Sequence, residues 1–294
     1  MLIVIGFVVV LASVLGGYAA MGGHWGALYQ PFELVVIGGA GLGAFIAANT
    51  GKTIKLSVQA LGGLMKPSPY NKAVYMQLIA FLYVLLAKVR RDGWMAIESH
   101  VEDPANSELF AQYPLVQKDA RLQEFMLDYL RLMISGNTSA FEIEALMDEE
   151  IETYSHERSL PSTALHGLAD GLPAFGIVAA VLGVIKALAA IDQPPAVLGD
   201  LISKAMVGTF LGILMAYGFV APLAAAVERR NEEAVKILEC VKVTLMASLH
   251  GYPPQMAVEF GRKVLFADIR PSFAELEEHV RQAKGGAAPA DKAA

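Results

Sequence analysis

Carboxylates are the side chains best suited to moving an ion in this sequence, and none of them lies within a long apolar run. Glu33, Asp170, Asp192 and Asp200 lie at or beyond the ends of such runs, where a membrane interface would be. A protein that moves protons through a bilayer usually needs an ionisable group at depth. If this chain conducts protons, a partner protein must therefore supply the buried carboxylate.

No catalytic constellation accompanies these carboxylates. The sequence contains no phosphate-binding loop, no HExxH helix and no nucleophile elbow. Cys240 is the single cysteine, so an intrachain disulfide is impossible, and the six histidines form no metal-ligand spacing. The net charge of −6 gives no indication of nucleic-acid binding. The sequence predicts neither an enzyme nor a protein that binds a metal or a cofactor.

Two prolines and one threonine are the other candidates within the apolar runs. Pro173 and Pro222 each lie near the end of a run, and we expect them at similar depth. Each removes a backbone donor and weakens its helix locally. They therefore indicate either simple kinks or a hinge. Thr209 lies well inside the last run, where its hydroxyl either bonds back to its own helix or lines a pore.

Charged residues cluster outside the apolar runs. Arg90, Arg91 and Glu98 surround Gly93, and residues 148–150 form an acidic run, Asp-Glu-Glu. A solvated surface is the simpler interpretation of both patches. The alternative is docking to a charged partner, because charged rims favour rapid encounter over tight affinity.

The elements that must position these residues are four long apolar runs, at 1–20, 34–51, 171–191 and 205–227, of which the third is interrupted by Lys186. About 20 apolar residues in a helix cross a bilayer. The chain is 55% hydrophobic with a mean hydropathy of +0.46, which fits apolar runs separated by charged blocks. The runs predict four transmembrane helices.

The distribution of lysine and arginine predicts the orientation of these helices. Of the 23 basic residues, 21 lie in 52–168 and 226–294, whereas the short loops 21–33 and 192–200 contain none. Basic residues concentrate on the cytoplasmic side of a membrane. We expect both termini and both large segments in the cytoplasm.

The large segments are predicted to be helical. Residues 73–87 are apolar but short and bracketed by lysines, which favours a buried or interfacial cytoplasmic helix over a fifth span. In 118–134 the apolar residues form one helical stripe, and Ser-Gly-Asn at 135–137 ends it. A second, acidic helix is predicted at 140–156, and the fourth span is expected to continue through Lys242.

The fold class predicted is an all-α polytopic membrane protein with four transmembrane helices and a helical cytoplasmic domain. We expect five divisions of the chain: transmembrane helices 1 and 2 at 1–51, a cytoplasmic helical domain at 52–168, transmembrane helices 3 and 4 at 169–227, a cytoplasmic helical extension at 228–284, and a disordered tail at 285–294.

Small residues recur at four-residue spacing within the predicted spans. The pairs are Gly39 with Gly43, Gly176 with Ala180, and Gly208 with Gly212. Such spacing lets helices approach closely in lipid. Ordinary packing within the chain is the simpler interpretation, and oligomerisation is the alternative.

Several motifs in order resemble the MotA family of flagellar motor stator proteins, within the MotA/TolQ/ExbB proton channels. The resemblance covers nearly the whole chain. It rests on AMVGTFLGIL at 205–214 followed by Pro222, LPAFGIVAA at 172–180, FEIEALMDEE at 141–150, GALYQP at 26–31 and AVEFGRK at 257–263.

The resemblance implies partners and roles. Subunits of this family form a ring, described as a pentamer, around a dimer of MotB, which supplies the membrane aspartate and an anchor to peptidoglycan. Ion flow drives the ring against the rotor protein FliG. The implied rotor-facing residues are Arg90 and Glu98, with Glu150 as a weaker candidate; the implied ion-pathway and gating residues are Pro173, Pro222, Thr209 and Ala180.

Three alternatives stay open at this point. The length resembles the proton-driven branch of the family, but a sodium-driven subunit is the first alternative. A non-flagellar transducer of the ExbB or TolQ type is the second, although those resemble three-span proteins. A passive membrane scaffold without ion flux is the third.

Overall fold

A computed structural model of the chain describes residues 2–284, and in these residues every regular element is helical. The prediction of an all-α chain is confirmed. The tail predicted to be disordered, 285–294, lies outside the described residues.

The helices have the following bounds, in chain order. They are α1 (Leu2–Ala20), α2 (Trp25–Leu28), α3 (Pro31–Ala48), α4 (Gly51–Gly63), α5 (Lys72–Asp92), α6 (Glu98–Glu102), α7 (Glu108–Ala111), α8 (Pro114–Gln117), α9 (Ala120–Ser135), α10 (Ala140–Leu188), α11 (Pro195–Ile213), α12 (Ala221–Leu249), α13 (Pro254–Val264) and α14 (Phe273–Lys284). A 3-10 turn (Trp94–Ile97) follows α5, and a π-helical segment (Leu214–Val220) joins α11 to α12.

The chain divides into two units by its contacts. The first unit comprises Met1–Pro67 and Arg158–Arg229, and the second comprises Ser68–Glu157 and Arg230–Ala294. Helices α10 and α12 contribute residues to both units. Helix α4 belongs to the first unit, although the sequence-based division begins its cytoplasmic domain at residue 52. That division is defined by the position of a bilayer, and it stays a prediction.

Five helical stretches within 2–284 are long and apolar enough to cross a membrane: Leu2–Ala20, Trp25–Ala48, Lys72–Asp92, Ala140–Leu188 and Pro195–Leu249. Their most apolar windows differ in burial. In Lys72–Asp92, 67% of that window is buried inside the protein, against 0 to 28% in the other four. An apolar helix that the protein itself covers has the environment of a core helix, whereas exposed apolar helices indicate contact with lipid or a partner.

The core of the second unit forms around α5. Tyr75, Leu78 and Phe81 of this helix are fully buried. The Phe81 ring packs against Phe110 and Tyr113, at centroid distances of 4.7 and 5.6 Å, a spacing typical of aromatic pairs. The prediction for 73–87 was a buried or interfacial helix, and the position of α5 agrees with the buried alternative.

Helix α9 matches its predicted pattern. All six apolar residues of the predicted stripe are buried: Leu122, Phe125, Met126, Tyr129, Leu130 and Met133. Asp119 caps its start by accepting a hydrogen bond from the backbone N–H of Leu122. Its end lies at Ser135, where Gly136 takes the left-handed conformation with φ of 65°.

Two predicted boundaries are wrong. The acidic helix at 140–156 and the third apolar run are one continuous helix, α10, 49 residues long, which contains Pro161 and Pro173. Helix α11 begins at Pro195, ten residues before the predicted start of the fourth span, so the predicted loop 192–200 is shorter. Proline at the first helical position is compatible with a helix start, because its missing N–H would have no partner there.

Candidate functional site

Helices α10 and α11 are in backbone contact through glycines, within the first unit. A methyl group built on Gly176 would lie 2.9 Å from the carbonyl oxygen of Gly208 and 3.1 Å from Cα of Gly212. One built on Gly212 would lie 2.7 Å from the carbonyl oxygen of Leu172. Two of the three predicted small-residue pairs thus face each other across this interface, which supports the packing interpretation for them.

The third small-residue pair lies on an open face. A methyl group at Gly39 or Gly43 of α3 would meet no atom within 4 Å, and both residues are exposed. Nothing within the described chain packs against these two glycines.

Thr209 and Ala180 lie at one level of the α10–α11 pair. A methyl group built on Gly208, the residue before Thr209, would lie 3.0 Å from the backbone nitrogen of Ala180. Both side chains are partly buried. Ser57 and Thr244 each donate to the carbonyl four residues earlier in their helices, and no such bond is found for Thr209 in the described chain. Its hydroxyl is therefore available to a group outside this helix pair.

The two prolines lie at different levels, contrary to the prediction. Pro173 follows Leu172, whose carbonyl oxygen contacts Gly212, so it lies inside the glycine interface. Pro222 lies ten residues after Gly212. Gly212 faces Gly176, which lies three residues after Pro173. Because α10 and α11 run antiparallel, the levels of the two prolines differ by about seven residues, or about 10 Å by helical rise. The prediction was wrong because it measured each proline from its nearest charged residue, whereas the register is set by the glycines.

The π-helical segment Leu214–Val220 lies directly before Pro222. A proline has no N–H for the carbonyl four residues earlier, here Gly218, and its ring crowds that carbonyl. A wider π turn is one way in which a helix accommodates this. Pro222 is exposed, whereas Pro173 is partly buried. The hydrophobic pattern of the sequence contains no signal for the π segment.

Arg90 and Glu98 lie on either side of the turn that ends α5, in the second unit. Gly93, with φ of 84°, ends α5, and Glu98 begins α6. Both charged side chains are exposed. The Arg90 Nη1 atom donates to the carbonyl oxygen of Gly251 at 3.2 Å.

Arg91 differs from Arg90 in its partner. Its guanidinium donates to both carboxylate oxygens of Asp92, at 2.8 to 3.0 Å. These hydrogen bonds raise the pKa of Arg91 and lower the pKa of Asp92. The charge of Arg91 is therefore balanced by its neighbour, whereas Arg90 bonds to a neutral carbonyl.

Glu150 is held inside the second unit. Its carboxylate accepts hydrogen bonds from Arg121 Nη2 at 2.6 Å and from the Tyr129 hydroxyl at 2.9 Å. Burial and this carboxylate raise the pKa of Tyr129. The partners join α9 to α10, so the geometry favours a packing role for Glu150 over contact with another protein.

His100 was not predicted from the sequence. Its Nε2 atom lies 2.7 Å from Lys88 Nζ, and its Nδ1 atom lies 2.9 Å from the Ser107 hydroxyl, which caps α7. Burial and the ammonium of Lys88 lower the pKa of His100, so the neutral ring is favoured. The contact joins α5, α6 and α7, and only the fold brings these residues together.

A pocket beside Arg90 was also missed. It measures about 200 Å³ and is lined by Val89, Arg90, Trp94, Ser248, Tyr252 and Pro254. These residues come from the end of α5, the 3-10 turn, the end of α12, the turn after it and the start of α13.

The described part of the chain contains no candidate metal site. Within 2–284, no group of three or more histidine, cysteine, aspartate or glutamate residues could hold a metal ion. The single thiol, at Cys240, is buried, which raises its pKa to about 12 and keeps it protonated at neutral pH.

Two family descriptions match the sequence. Residues 4–93 match the family described as "Motility protein A N-terminal", and residues 117–240 match the "MotA/TolQ/ExbB proton channel family". Together they cover every candidate residue except Glu98.

Similar proteins extend over nearly the whole chain. It is 57% identical to Motility protein A of Salmonella typhimurium over 281 residues, which are 96% of this chain and 95% of that protein. It is 56% identical to Motility protein A of Escherichia coli over 284 residues, 97% of this chain and 96% of that one. It is 38% identical to the chemotaxis protein LafT of Vibrio parahaemolyticus over 281 residues, 96% of this chain and 99% of that one.

Solved structures share the fold. A structure of C. jejuni MotAB aligns with a TM-score of 0.74 at 20% identity, over 92% of this chain and 98% of that one. The flagellar MotAB stator complex from Bacillus subtilis aligns with a TM-score of 0.69 at 24% identity, over 94% of this chain and 100% of that one.

Proposed function

Because this chain belongs to the motility protein A family, as the motifs in its sequence predicted, we propose that it is the ion-channel subunit of a bacterial flagellar stator and that protons drive it. The observation that carries the proposal is the high identity over almost the whole length. We also propose that the subunit is a mechanical transducer and catalyses no reaction of its own.

The proposed topology has four transmembrane helices in the bacterial inner membrane, with both termini in the cytoplasm. The spans are α1, α3, the apolar part of α10, and α11 with the π segment. Helix α5 is placed outside the membrane in this topology, and the burial of 67% of its most apolar window inside the protein supports a core helix over a fifth span. The basic residues in 52–168 and 226–294 support this orientation.

The proposed partner in the membrane is a MotB dimer. The two solved relatives are MotAB complexes. Apart from Lys186, residues 171–191 and 205–227 carry no charged side chain, so a partner has to supply the carboxylate that takes up the ion. We propose that several copies of this chain, five by resemblance to the family, form a ring around that dimer. The exposed apolar faces of the spans fit contact with lipid, with other copies and with the partner.

In the proposed mechanism, each proton that crosses releases about 2.3 kcal/mol per 100 mV of membrane potential. Protonation of the partner's carboxylate removes a charge at depth and changes which arrangement of the surrounding helices is stable. Thr209 and Ala180 face that carboxylate, and the helices respond at Pro173 and Pro222. Helices α10 and α12 carry the response towards the second unit, because each contributes residues to both units.

The proposed rotor contact is made by Arg90 and Glu98 with oppositely charged groups of FliG. The geometry favours Arg90 over Arg91, because Asp92 already balances the charge of Arg91. Glu150 remains the weakest of the three candidates, because Arg121 and Tyr129 hold its carboxylate. Exposed charge pairs are individually worth little, about 0 to 1 kcal/mol. Such a contact can therefore form and break repeatedly.

The test is a swimming assay in a strain that lacks its own subunit of this type and expresses this chain with its native MotB, in sodium-free buffer. Motility that a protonophore abolishes is the expected result. Motility that requires added sodium would replace protons by sodium as the coupling ion. No motility in either buffer, despite membrane insertion and MotB binding, would favour a non-flagellar transducer of the ExbB or TolQ type.

Charge reversal tests the rotor contact. Arg90→Glu combined with Glu98→Lys should lower the number of stator complexes at each motor and the stall torque. Arg91→Glu is the matched control, since its charge is already paired within the chain. If the double reversal leaves recruitment and torque at the level of the control, the assigned role is wrong.

A further inference from the structure

The pocket beside Arg90 combines one cation with aromatic walls. Trp94 and Tyr252 line it together with Val89 and Pro254, and Arg90 lies at its edge. Trp94 is partly buried and Tyr252 is 45% exposed. Tryptophan, tyrosine and arginine are the residue types that most often dominate the binding energy of protein interfaces. The pocket thus has the composition of an interface centre.

Backbone hydrogen bonds and an aromatic contact fix the turn at Gly251 and Tyr252, which forms one wall of the pocket. Helix α12 ends at Leu249, and Gly251 in the turn after it has φ of 86°, where glycine avoids the strain that a side chain would meet. Gly251 N–H donates to the carbonyl of Ser248 at 2.9 Å, and Tyr252 N–H donates to the carbonyl of Ala247 at 3.1 Å. The Tyr252 ring packs on Phe260, with centroids 5.1 Å apart.

This turn also positions the Arg90 side chain. The carbonyl of Gly251 accepts the hydrogen bond from Arg90 Nη1. The bond restrains the guanidinium at the edge of the pocket and leaves its charge unbalanced, because its acceptor is neutral. A partner that brings a carboxylate to this point gains a charge-assisted contact without first ordering a flexible side chain.

We propose that this pocket receives an apolar side chain of the rotor subunit and that a carboxylate beside that side chain pairs with Arg90. Trp94 and Tyr252 are then specificity-determining residues of the rotor contact. The inference rests on the proposed function, and it adds an apolar anchor to a contact otherwise described by exposed charges. An anchor of this kind slows dissociation, whereas rim charges mainly speed encounter.

The experiment uses the full chain with its native MotB in a motile strain, with a fluorescent tag to count stator complexes at each motor. Trp94→Ala removes one wall of the pocket. Ser248→Phe fills the pocket and leaves the residues around it in place. Phe273→Ala is the matched control, because Phe273 is an aromatic residue of the second unit with 57% exposure that lies outside the pocket. Proton leak through plug-deleted complexes is measured in parallel.

We expect Trp94→Ala and Ser248→Phe each to weaken docking about tenfold, in line with the loss typical of truncation at an interface centre. Proton leak should equal that of the control. Combining Trp94→Ala with Arg90→Gln should cost less than the sum of the two single losses, because both residues contact the same element of the partner.

The outcomes separate the inference from the function on which it rests. If the unaltered chain never assembles at motors, the proposed function fails and the inference falls with it. If the unaltered chain assembles and the two pocket variants match Phe273→Ala, only the inference is overturned. If both variants lose proton leak together with recruitment, the pocket residues support the fold of the subunit, and the inference is again overturned.

Discussion

Replacing Gly212 by alanine should force α10 and α11 apart. The added methyl group would lie 2.7 Å from the carbonyl oxygen of Leu172 and 2.8 Å from Cα of Gly176. Ordinary contact of a Cβ atom begins at 3.4 Å. Both neighbours are backbone atoms, which cannot rotate away as a side chain would. The helices must therefore separate by several tenths of an ångström over their tightest contact.

The expected cost follows from two opposing effects. Overpacking of a close interface costs about 1 to 3 kcal/mol. Alanine also has the better helix propensity, which returns up to about 1 kcal/mol. A matched control removes the second effect. Gly167 lies on α10, the helix that packs against Gly212 of α11, is exposed, and would meet no atom within 4 Å if it carried a methyl group. The difference between Gly212→Ala and Gly167→Ala is therefore the packing cost alone, about 1 to 3 kcal/mol.

The assay is thermal denaturation of the detergent-purified complex with MotB, followed by the fraction that stays in its size-exclusion peak after heating. Gly212→Ala should lose its peak at lower temperature than Gly167→Ala, and the double variant Gly176→Ala, Gly212→Ala should lose it earlier still. The reasoning would be refuted if Gly212→Ala were as stable as Gly167→Ala, since the two glycines would then be equally free of neighbours.

Three further perturbations test other parts of the structure. Glu150→Gln should destabilise the second unit by about 1 kcal/mol, because Arg121 loses its anionic partner and Tyr129 loses a strong acceptor. Faster amide exchange in α9 would report this loss. If the variant instead lowered torque and left amide exchange in α9 unchanged, the packing role would be wrong. Pro222→Leu restores a backbone donor beside the π segment, so proton leak through plug-deleted complexes should fall while assembly with MotB persists. An unchanged proton leak would show that Pro222 does not act as a hinge. The pKa of His100 is lowered in the folded protein, so the unfolded segment binds a proton at a higher pH than the folded one. The stability of the α6–α7 segment should therefore be constant above about pH 6.5 and fall below it. Amide exchange at the start of α7 should show this dependence in the native chain but not in His100→Gln.

Much of the fold could be predicted because the evidence is local. The stripe of α9 repeats at helical spacing, and every residue in it is buried. The break after it was predictable because glycine adopts the left-handed conformation that ends many helices, as Gly136 does. The four apolar runs were predictable from length and composition alone.

The parts that could not be predicted depend on contacts distant in sequence. Arg121 and Glu150 are 29 residues apart, and Arg90 lies 161 residues before the carbonyl that holds it. Charge runs alone do not tell a solvated carboxylate from one with an internal partner, so the acidic run at 148–150 gave no sign that Arg121 and Tyr129 hold Glu150. The sequence analysis also missed that α10 continues through Pro161, although proline in a helix interior usually favours a boundary.

The register of the glycine interface gives the two prolines different mechanical roles. Pro173 lies where α10 touches α11, so bending there must move both helices or open their tightest contact. Pro222 lies about 10 Å beyond that contact, is exposed, and follows a π segment in which the backbone hydrogen bonds are already displaced. Bending at Pro222 therefore meets less resistance. If the helices tilt when the partner's carboxylate is protonated, the movement starts at Pro222, and Pro173 transmits it by holding α10 and α11 together. Loss of Pro222 should then reduce proton leak alone, whereas loss of Pro173 should also change the thermal stability that Gly212→Ala lowers.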